Sequence, residues 1–375
     1  MAVRTNPDSS AARNPADRDV LRDRWWWGPA AWAFRAVVRW RHRAFDLGLL
    51  RSKSGALPSV VLGNVTVGGT GKTPHLKVLL QKLMDRDNDI RWAVLSRGYG
   101  RKSKGFLQVD REGTPEQFGD EPLELARRYP GIPLFVCEDR IEGIERIRES
   151  GLADAVLLDD GLQHRRLRPT VSIMLVDTTQ PVDRDHFLPR GRLRDLPSRV
   201  PSADAVILTR CAGSLTKGDL RLWRHRLHLR PDQHLLHTGG RVDGLRALKS
   251  KRYAGWPLAC IAVSGIGQPD QFRHQLSRQC RVIRHFDYPD HHHFTPVDVH
   301  AWKDALQQAD DAGRLPEAII TTEKDAERIR PLEMAAELPI LVVGLHIQWW
   351  DESALDGLLS TIHQRVEASR AGSDI

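Results

Sequence analysis

Residues 59–74 read SVVLGNVTVGGTGKTP, and this stretch constrains the fold more than any other part of the chain. A short β-branched run leads into a glycine-rich turn, and Gly-Lys-Thr then opens a helical pattern over residues 75–85. Glycines let the backbone curl with its N–H groups pointing inward, and the helix adds free N-terminal donors and the positive end of its dipole. The order strand, loop, helix predicts a phosphate-binding loop rather than an ordinary glycine-rich turn.

The side chains of this loop have distinct expected roles. Lys72 would reach the outer phosphates of a nucleotide, and the Thr73 hydroxyl would bind the Mg²⁺ ion that bridges them. Thr66 replaces the usual first glycine of G-x-x-x-x-G-K-[ST], so the strict pattern is broken at that position. The predicted nucleotide-binding residues are Thr66, Val67, Gly68, Gly69, Thr70, Gly71, Lys72 and Thr73.

Beyond the loop, short aliphatic runs alternate with helical patterns, which is typical of parallel strands covered by helices. We therefore predict an α/β fold: a P-loop NTPase-like, doubly wound, mostly parallel sheet with a smaller second α/β lobe. The predicted divisions of the 375 residues are a disordered tail over 1–22, a basic amphipathic helix over 23–50, a P-loop core over 51–214, the smaller lobe over 215–360 and a C-terminal tail over 361–375.

Charge and cysteine usage exclude several classes of protein. The formal net charge is +8, but no nucleic-acid recognition module is visible, so we predict no nucleic-acid partner. The four cysteines show no C-x-x-C spacing, which argues against a zinc ribbon and suits a reducing cytosol. No run of roughly 18 apolar residues is present, and the N-terminus has no signal-peptide pattern.

Many of the basic residues lie in the predicted N-terminal helix, residues 30–50, where they alternate with aromatic residues. At 100° per residue, one side of the helix collects Ala33, Phe34, Val37, Val38, Trp40 and Phe45, and the other collects Arg35, Arg39, His42 and Arg43. This pattern favours a helix in a membrane interface, with its arginines on anionic headgroups. The alternative is a helix that packs on its own domain and leaves its arginines solvated.

Two acidic pairs follow the loop. The apolar strand before Asp159 and Asp160 would bring these carboxylates to the metal ion at Thr73. The next segment contains Gln163 and His164 beside two arginines, which favours substrate or phosphate contacts over a solvated loop. The pair at residues 120–121 stands at a helix start, where ordinary capping is the simplest explanation.

The second lobe carries one acid and histidine cluster, YPDHHHF at residues 288–294. A zinc site is one interpretation, but the spacing matches no established zinc pattern. Proton transfer beside a carboxylate suits these histidines better. Residues 321–325, TTEKD, follow a strand and would either bind an anion or cap a helix.

Seven segments, in this order, resemble the tetraacyldisaccharide 4′-kinases, the lipid A kinases of Gram-negative bacteria. They are GNVTVGGTGKTP (63–74), LSRGYG (95–100), GDEP (119–122), LDDGLQH (158–164), GRLR (191–194), PDHH (289–292) and TEKD (322–325). The resemblance spans residues 25–360, and it accounts for Thr66, because the family carries a hydroxyl residue there. Three mild departures are Arg101, Asp195 and Tyr288, where the family has Gly, Glu and Phe.

The resemblance implies ATP, Mg²⁺ and a lipid A precursor disaccharide as ligands, and it implies no protein partner. Asp120 and His291 resemble the catalytic base pair, with Lys72 and Arg140 as further catalytic groups. The remaining implied residues are Thr73, Glu121, Asp159 and Asp160 for the metal, and Tyr99, Gln163, His164 and Arg194 for the substrate. A lipid substrate implies the cytoplasmic face of the inner membrane as the location, with the N-terminal helix on its anionic surface. The alternative function is a membrane-peripheral P-loop ATPase or nucleotide switch.

Overall fold

The computed structural model describes residues 25–68, 70–86, 89–249, 253–267, 269–289, 292–311, 313 and 318–371. The chain divides into two compact units. The first extends to Gly239 and resumes at Trp349, and the second is Gly240–Gln348. The sequence analysis places the second lobe over 215–360. The structure assigns the helix Lys217–Arg226 and the start of the following strand to the first unit.

The first unit is built on a mostly parallel sheet. Its strands are β1 (Lys53–Ser54), β2 (Ser59–Gly63), β3 (Trp92–Ser96), β4 (Leu107–Gln108), β5 (Leu134–Val136), β6 (Ala155–Asp159), β7 (Leu167–Arg168), β8 (Val171–Asp177), β9 (Ala205–Thr209) and the beginning of β10 (His234–Ala247). The order is β10-β9-β8-β2-β6-β3-β5-β4, with only the β4–β5 pairing antiparallel, and β1 pairs with β7 separately. Strands β2, β3, β6 and β9 are buried along their whole length, which is why they read as continuous aliphatic runs.

Helices cover this sheet and the sheet of the second unit. They are α1 (Gly28–Asp46), α2 (Lys72–Arg86), α3 (Pro115–Phe118), α4 (Asp120–Arg128), α5 (Arg140–Ser150), α6 (Lys217–Arg226), α7 (Pro269–Leu276), α8 (Pro296–Asp311), α9 (Glu323–Ile329) and α10 (Glu352–Ala371). Short 3₁₀ helices span Trp25–Trp27, Val182–Arg184, Pro197–Ser202 and Glu333–Glu337. Helix α10 continues to Ala371 with Ile362 and Val366 buried, where the sequence analysis places a tail from residue 361. The predicted tail over 1–22 lies outside the described residues.

The second unit has its own parallel sheet. Its strands are β11 (Tyr253–Ala254), β12 (Ala259–Ser264), β13 (Arg281–Asp287), β14 (Ala318–Thr322) and β15 (Ile340–Trp349), which ends in the first unit. The order β13-β12-β14-β15 is parallel throughout. Strand β11 pairs antiparallel with the end of β10, so the segment 240–256, in which the sequence shows no motif, contains a strand pairing. The α/β prediction for both units is confirmed.

Helix α1 has apolar side chains on two opposite faces. Ala31 is buried, and the ring of Phe34 lies 6.4 Å from that of Phe187 in the body of the first unit. On the opposite face Trp32 and Trp40 remain 72% and 69% exposed. One face therefore packs on the protein while the other presents tryptophans to the surroundings.

This arrangement corrects the predicted grouping of the helix residues. The periodicity predicts Phe34 and Trp40 on one apolar side and His42 on the polar side. In the structure Phe34 faces inward, Trp40 faces outward and His42 is buried. The inner face of the helix packs on its own domain, as the alternative interpretation states, and the membrane role of the exposed apolar face stays a prediction. Within the described part of the chain, no helix has the length and hydropathy needed to cross a membrane.

Candidate active site

The glycine-rich loop joins β2 to α2 as the sequence predicts. Gly68 and Gly71 have φ values of 98° and 88°, a region that favours glycine. Helix α2 begins at Lys72, so the Lys72 and Thr73 N–H groups have no partners within the helix. Gly69 lies outside the described residues, whereas Val67 and Thr73 lie in the described loop and helix start.

Thr66 occupies the position of the missing glycine for a structural reason. It forms an antiparallel bridge with Leu193, and the Val67 N–H donates to the Arg192 carbonyl at 2.7 Å. The first half of the loop is therefore extended and paired with residues 192–193. An extended backbone suits any residue, so glycine is not required there.

Asn64 connects the parts of this loop, and the sequence analysis did not select it. Its side chain is fully buried and donates to the Thr70 hydroxyl at 2.7 Å. Its amide oxygen accepts from Lys72 Nζ at 3.4 Å and from Arg194. The position of Asn64, directly after the strand and within the matched motif, is the signal that could have identified it.

The acidic pair Asp159–Asp160 lies beside the loop because β6 pairs with β2 in register, Leu62 opposite Asp159. Asp160 has a φ of 50° and sits 3.7 Å from Lys72 Nζ, and it accepts from Arg194 at 2.8 Å. Burial opposes the Asp160 charge, but the Arg194 bonds and the Lys72 charge hold its pKa below the ordinary value. Asp160 is therefore ionised at neutral pH.

Asp159 lies in a different environment. It is buried, and burial together with the Glu121 and Asp160 carboxylates raises its pKa to about 7. Its Oδ1 atom has no hydrogen-bond partner among the described residues. A buried carboxylate oxygen that lacks a donor, with two further carboxylates adding negative charge, fits a divalent cation.

The described residues contain no cluster of three or more His, Cys, Asp or Glu side chains able to hold a metal ion. Mg²⁺ bound with a nucleotide commonly takes only one or two protein carboxylates and completes its shell with phosphates and waters. The arrangement at Asp159 therefore suits a metal that arrives with the nucleotide better than a permanent all-protein site.

Arg140 lies beside the acidic end of β6. It is the first residue of α5, which Asp139 caps by accepting from the Ile141 N–H at 2.9 Å. The Arg140 guanidinium is buried and donates to the Cys137 carbonyl at 2.6 Å and to the Asp159 carbonyl at 3.4 Å. Burial lowers its pKa, and the Asp159 and Asp160 charges oppose that shift. A buried cation is thus bonded to the backbone of Asp159, where its charge acts on both carboxylates.

The loop after β6 carries the next predicted residues. Gln163 donates to the Asn64 backbone carbonyl at 2.6 Å, and Arg194 donates to the same oxygen at 3.3 Å. His164 is partly buried, which lowers its pKa, and its Nε2 lies 3.5 Å from Asp139. Gln163 and Arg194 are therefore joined to the phosphate loop, and His164 lies beside the cap of α5.

The segments 95–100 and 119–122 also meet. Gly119 has a φ of 90°, and a Cβ there would lie 2.9 Å from the Tyr99 carbonyl oxygen, so only glycine permits this close approach. The contact sets Tyr99, which is 91% exposed, against the start of α4, whose first residues are Asp120 and Glu121. Both carboxylates are exposed at that helix start.

Two predicted positions, Asp290 and His291, lie outside the described residues. The neighbouring His292 is in the second unit, where its Nε2 lies 3.2 Å from Asp298 and its ring stacks on Tyr288 at 4.4 Å. The Asp325 side chain accepts from the Gly265 N–H at 3.0 Å and from the Thr322 hydroxyl at 2.8 Å. Of the two interpretations of residues 321–325, these contacts favour the helix cap.

Comparison with known proteins gives a consistent result. A family model described as tetraacyldisaccharide-1-P 4′-kinase matches residues 24–364. A tetraacyldisaccharide 4′-kinase of Bacteroides thetaiotaomicron is 35% identical over 350 residues, which is 88% of this chain and 90% of the relative. One of Porphyromonas gingivalis is 33% identical over 363 residues, 92% of this chain and 99% of the relative.

A solved structure agrees with these sequence matches. The crystal structure of an "apo" form of LpxK from Aquifex aeolicus in complex with ATP superposes with a TM-score of 0.66 and 25% identity. The match covers 91% of this chain and 98% of that chain. The P-loop kinase fold predicted from the sequence is confirmed.

Proposed function

The chain belongs to the tetraacyldisaccharide-1-P 4′-kinase family, and on that premise we propose that it transfers the γ-phosphate of ATP to the 4′-hydroxyl of tetraacyldisaccharide 1-phosphate in lipid A biosynthesis. The observation that carries this proposal is the contact between the phosphate loop and the acidic strand end. Lys72 lies 3.7 Å from Asp160, and both belong to a network that also contains Asn64 and Arg194. Phosphoryl transfer needs cations and carboxylates arranged around the phosphates in this way.

The nucleotide is held by the loop backbone. The N–H groups between Thr66 and Thr73, including that of Gly69, would cradle the phosphates, and Lys72 would neutralise charge on the transferred group. Thr73 would offer its hydroxyl to Mg²⁺, with Asp159, Asp160 and Glu121 as the carboxylates that bind or support the ion. When bound, Mg²⁺ supplies charge neutralisation on the phosphate oxygens. Arg140 would stabilise the same negative charge from beside the strand end.

Asp120 is the proposed base, assisted by His291. Asp120 is exposed at the start of α4, directly after Gly119, whose close approach to the Tyr99 carbonyl brings this helix start to Tyr99. The proton of the 4′-hydroxyl would pass to Asp120 as the oxygen attacks the γ-phosphorus, while the bond from the γ-phosphorus to the bridging oxygen breaks and ADP leaves. Tyr99, Gln163, His164 and Arg194 are the residues proposed to contact the disaccharide and its phosphate.

Helix α1 is proposed to bind the lipid surface by its outer face. Trp32 and Trp40 are exposed there, and the loop after the helix adds Leu47 and Leu49, 75% and 74% exposed. Arg39 and Arg43 are exposed on the same helix and would meet anionic headgroups. Because a tetraacylated acceptor resides in a bilayer, this surface would hold the protein at the cytoplasmic face of the inner membrane.

The function is tested with γ-labelled ATP, Mg²⁺ and tetraacyldisaccharide 1-phosphate in detergent. Label should appear in the lipid, and Lys72→Ala should abolish its transfer while Lys82→Ala, a change at a half-buried lysine further along α2, leaves it intact. Label released only as free phosphate, at the same rate with and without lipid, would support the ATPase alternative instead.

The membrane role is tested separately with sedimented vesicles. Trp32→Ser combined with Trp40→Ser should reduce binding to vesicles containing phosphatidylglycerol roughly tenfold or more, since each exposed tryptophan loses apolar burial. Equal binding of the double variant and the unaltered protein would exclude this face of α1 as the attachment surface.

A further inference from the structure

The inner face of α1 is joined to the two loops that carry the proposed substrate residues. Arg41 donates to the Gln163 carbonyl at 2.7 Å, and His42 Nε2 bonds the Asp195 carboxylate. Gln163 belongs to the loop after β6, and Asp195 directly follows Arg194. The helix that exposes Trp40 outward therefore contacts both loops from its other side.

The two hydrogen-bond partners of His42 show which of its ring nitrogens donates and which accepts. Arg165 lies 2.8 Å from His42 Nδ1, and a guanidinium only donates, so Nδ1 must be the acceptor. A carboxylate oxygen of Asp195 accepts, so Nε2 of His42 is the donor of this bond. His42 thus accepts one hydrogen bond from Arg165 and donates one to Asp195.

The His42–Asp195 bond is buried and has several supports. His42 and Asp195 are 6% and 4% exposed, so a lost partner would leave a buried polar group unsatisfied. Arg165 also donates to Asp46 of α1 at 3.0 Å, and its guanidinium lies 5.2 Å from the centre of the Phe45 ring. The Asp195 N–H donates to the Val65 carbonyl at 3.1 Å, inside the phosphate loop.

We propose that α1 aligns the substrate loops of the kinase through the buried His42–Asp195 bond, which makes His42 a positioning residue for phosphoryl transfer, separate from membrane attachment. The bond fixes Asp195, and with it the adjacent Arg194, which reaches Asp160 and Asn64. Loosening it would displace Arg194 and Gln163 together. This inference rests on the roles proposed above for those two residues.

The experiment compares His42→Ala with His42→Gln and with His225→Ala, a change at an exposed histidine of α6. Phosphorylation is measured in detergent, where no bilayer is present, and vesicle binding is measured in parallel. His42→Ala should lower kcat/KM for the lipid acceptor roughly ten- to hundredfold, because small displacements of positioning groups have such effects. Vesicle binding and the KM for ATP should change by less than about twofold.

The glutamine variant separates positioning from general structure. Its amide can donate to Asp195 and accept from Arg165, so it should recover most of the activity lost in the alanine variant. A His42→Ala protein with unaltered kcat/KM would overturn the proposal. So would a protein in which ATP affinity and vesicle binding fall together with activity, because that pattern indicates loss of the fold.

Two further measurements test whether the effect of His42 passes through the two substrate loops. In an Arg194→Ala background His42→Ala should have little added effect, and full additivity would contradict action through Arg194. Hydrogen exchange should show residues 161–166 and 192–196 losing protection in His42→Ala while other segments are unchanged. Because exchange needs no substrate, this result stands even if the unaltered protein fails to phosphorylate the disaccharide, which would contradict the proposed function alone.

Discussion

The Nδ1 atom of His75 lies 2.6 Å from the carbonyl oxygen of Gly71, which also accepts the His75 backbone N–H at 3.1 Å. Burial lowers the pKa of His75 to about 4, so the ring is neutral and carries one proton. The carbonyl can only accept, which places that proton on Nδ1. Nε2 then accepts from the Thr238 hydroxyl at 2.8 Å. The Thr238 hydroxyl therefore stabilises the His75 tautomer that carries its proton on Nδ1. That proton bonds the carbonyl of Gly71, the residue before Lys72.

Replacing Thr238 by valine should weaken nucleotide binding. The change keeps the side-chain shape but leaves Nε2 without a donor, or else drives the other tautomer and breaks the Gly71 bond. The dissociation constant for ATP, measured by calorimetry, should rise roughly three- to tenfold, the usual worth of one such bond. Thr238→Ser keeps the hydroxyl and should bind as the unaltered protein does. Identical affinities for the two variants would refute the tautomer argument.

Asp159→Asn should stabilise the nucleotide-free protein while it impairs catalysis. The pKa of Asp159 is raised to about 7 in the folded state. The folded protein therefore loses stability as pH rises from the pKa of the unfolded state toward 7. At pH 8 the ionised form therefore destabilises the fold by up to about 4 kcal/mol, and an amide removes that charge. Thermal unfolding at pH 8 should show a higher Tm, and the Mg²⁺ requirement for activity should rise. A lower Tm would show that the charge is already compensated without a metal ion.

Asp120→Ala should reduce turnover far more than nucleotide binding. Removal of a general base costs roughly 10²- to 10⁴-fold in kcat, whereas the phosphate loop remains intact. His291→Ala should behave in the same way, and the double variant should be little worse than either single variant if the two act as one unit. Steady-state kinetics with ATP binding as the control checks this. Near-normal turnover in both single variants would remove them from the mechanism.

His285 should make the stability of the protein depend on pH. Burial and the charge of Arg273 lower its pKa to about 4, and its Nε2 lies 2.8 Å from the Ser264 hydroxyl. A histidine with a lowered pKa binds fewer protons folded than unfolded, so stability is lost as pH falls from about 6.5 to about 4. His285→Gln should lose less stability over that interval, by on the order of 1–2 kcal/mol in urea unfolding. Parallel curves for the two proteins would contradict the argument.

The sequence predicted the sheet well because parallel strands buried on both faces must be aliphatic throughout. It did not reveal β10, whose 14 residues include Gly239, Gly240 and the charged Arg241, so no run or alternation is visible. The sequence also did not predict that α1 has apolar residues on two opposite faces. Periodicity shows that a helix is apolar on one side, but it cannot tell which apolar residues a neighbouring segment will cover.

Some parts of the candidate site could be predicted from the sequence, and others could not. The glycine-rich loop and the acidic strand end are local patterns, and each could be identified from adjacent residues. The role of Asn64 depends on Arg194, 130 positions away in the chain, and that of His42 depends on Asp195, 153 positions away. Such partners come together only through the fold, so residue type and spacing alone could not identify them.

The two-sided character of α1 also governs how the protein can be prepared for solution work. Cutting the helix away would remove the exposed tryptophans, but it would uncover the apolar patch around Val65, Phe187 and Leu193 that Ala31 and Phe34 now cover. One exposed apolar surface would be exchanged for another, and the truncated protein would still be liable to aggregate. Polar replacements confined to Trp32, Val37 and Trp40 offer the better route to a monodisperse sample.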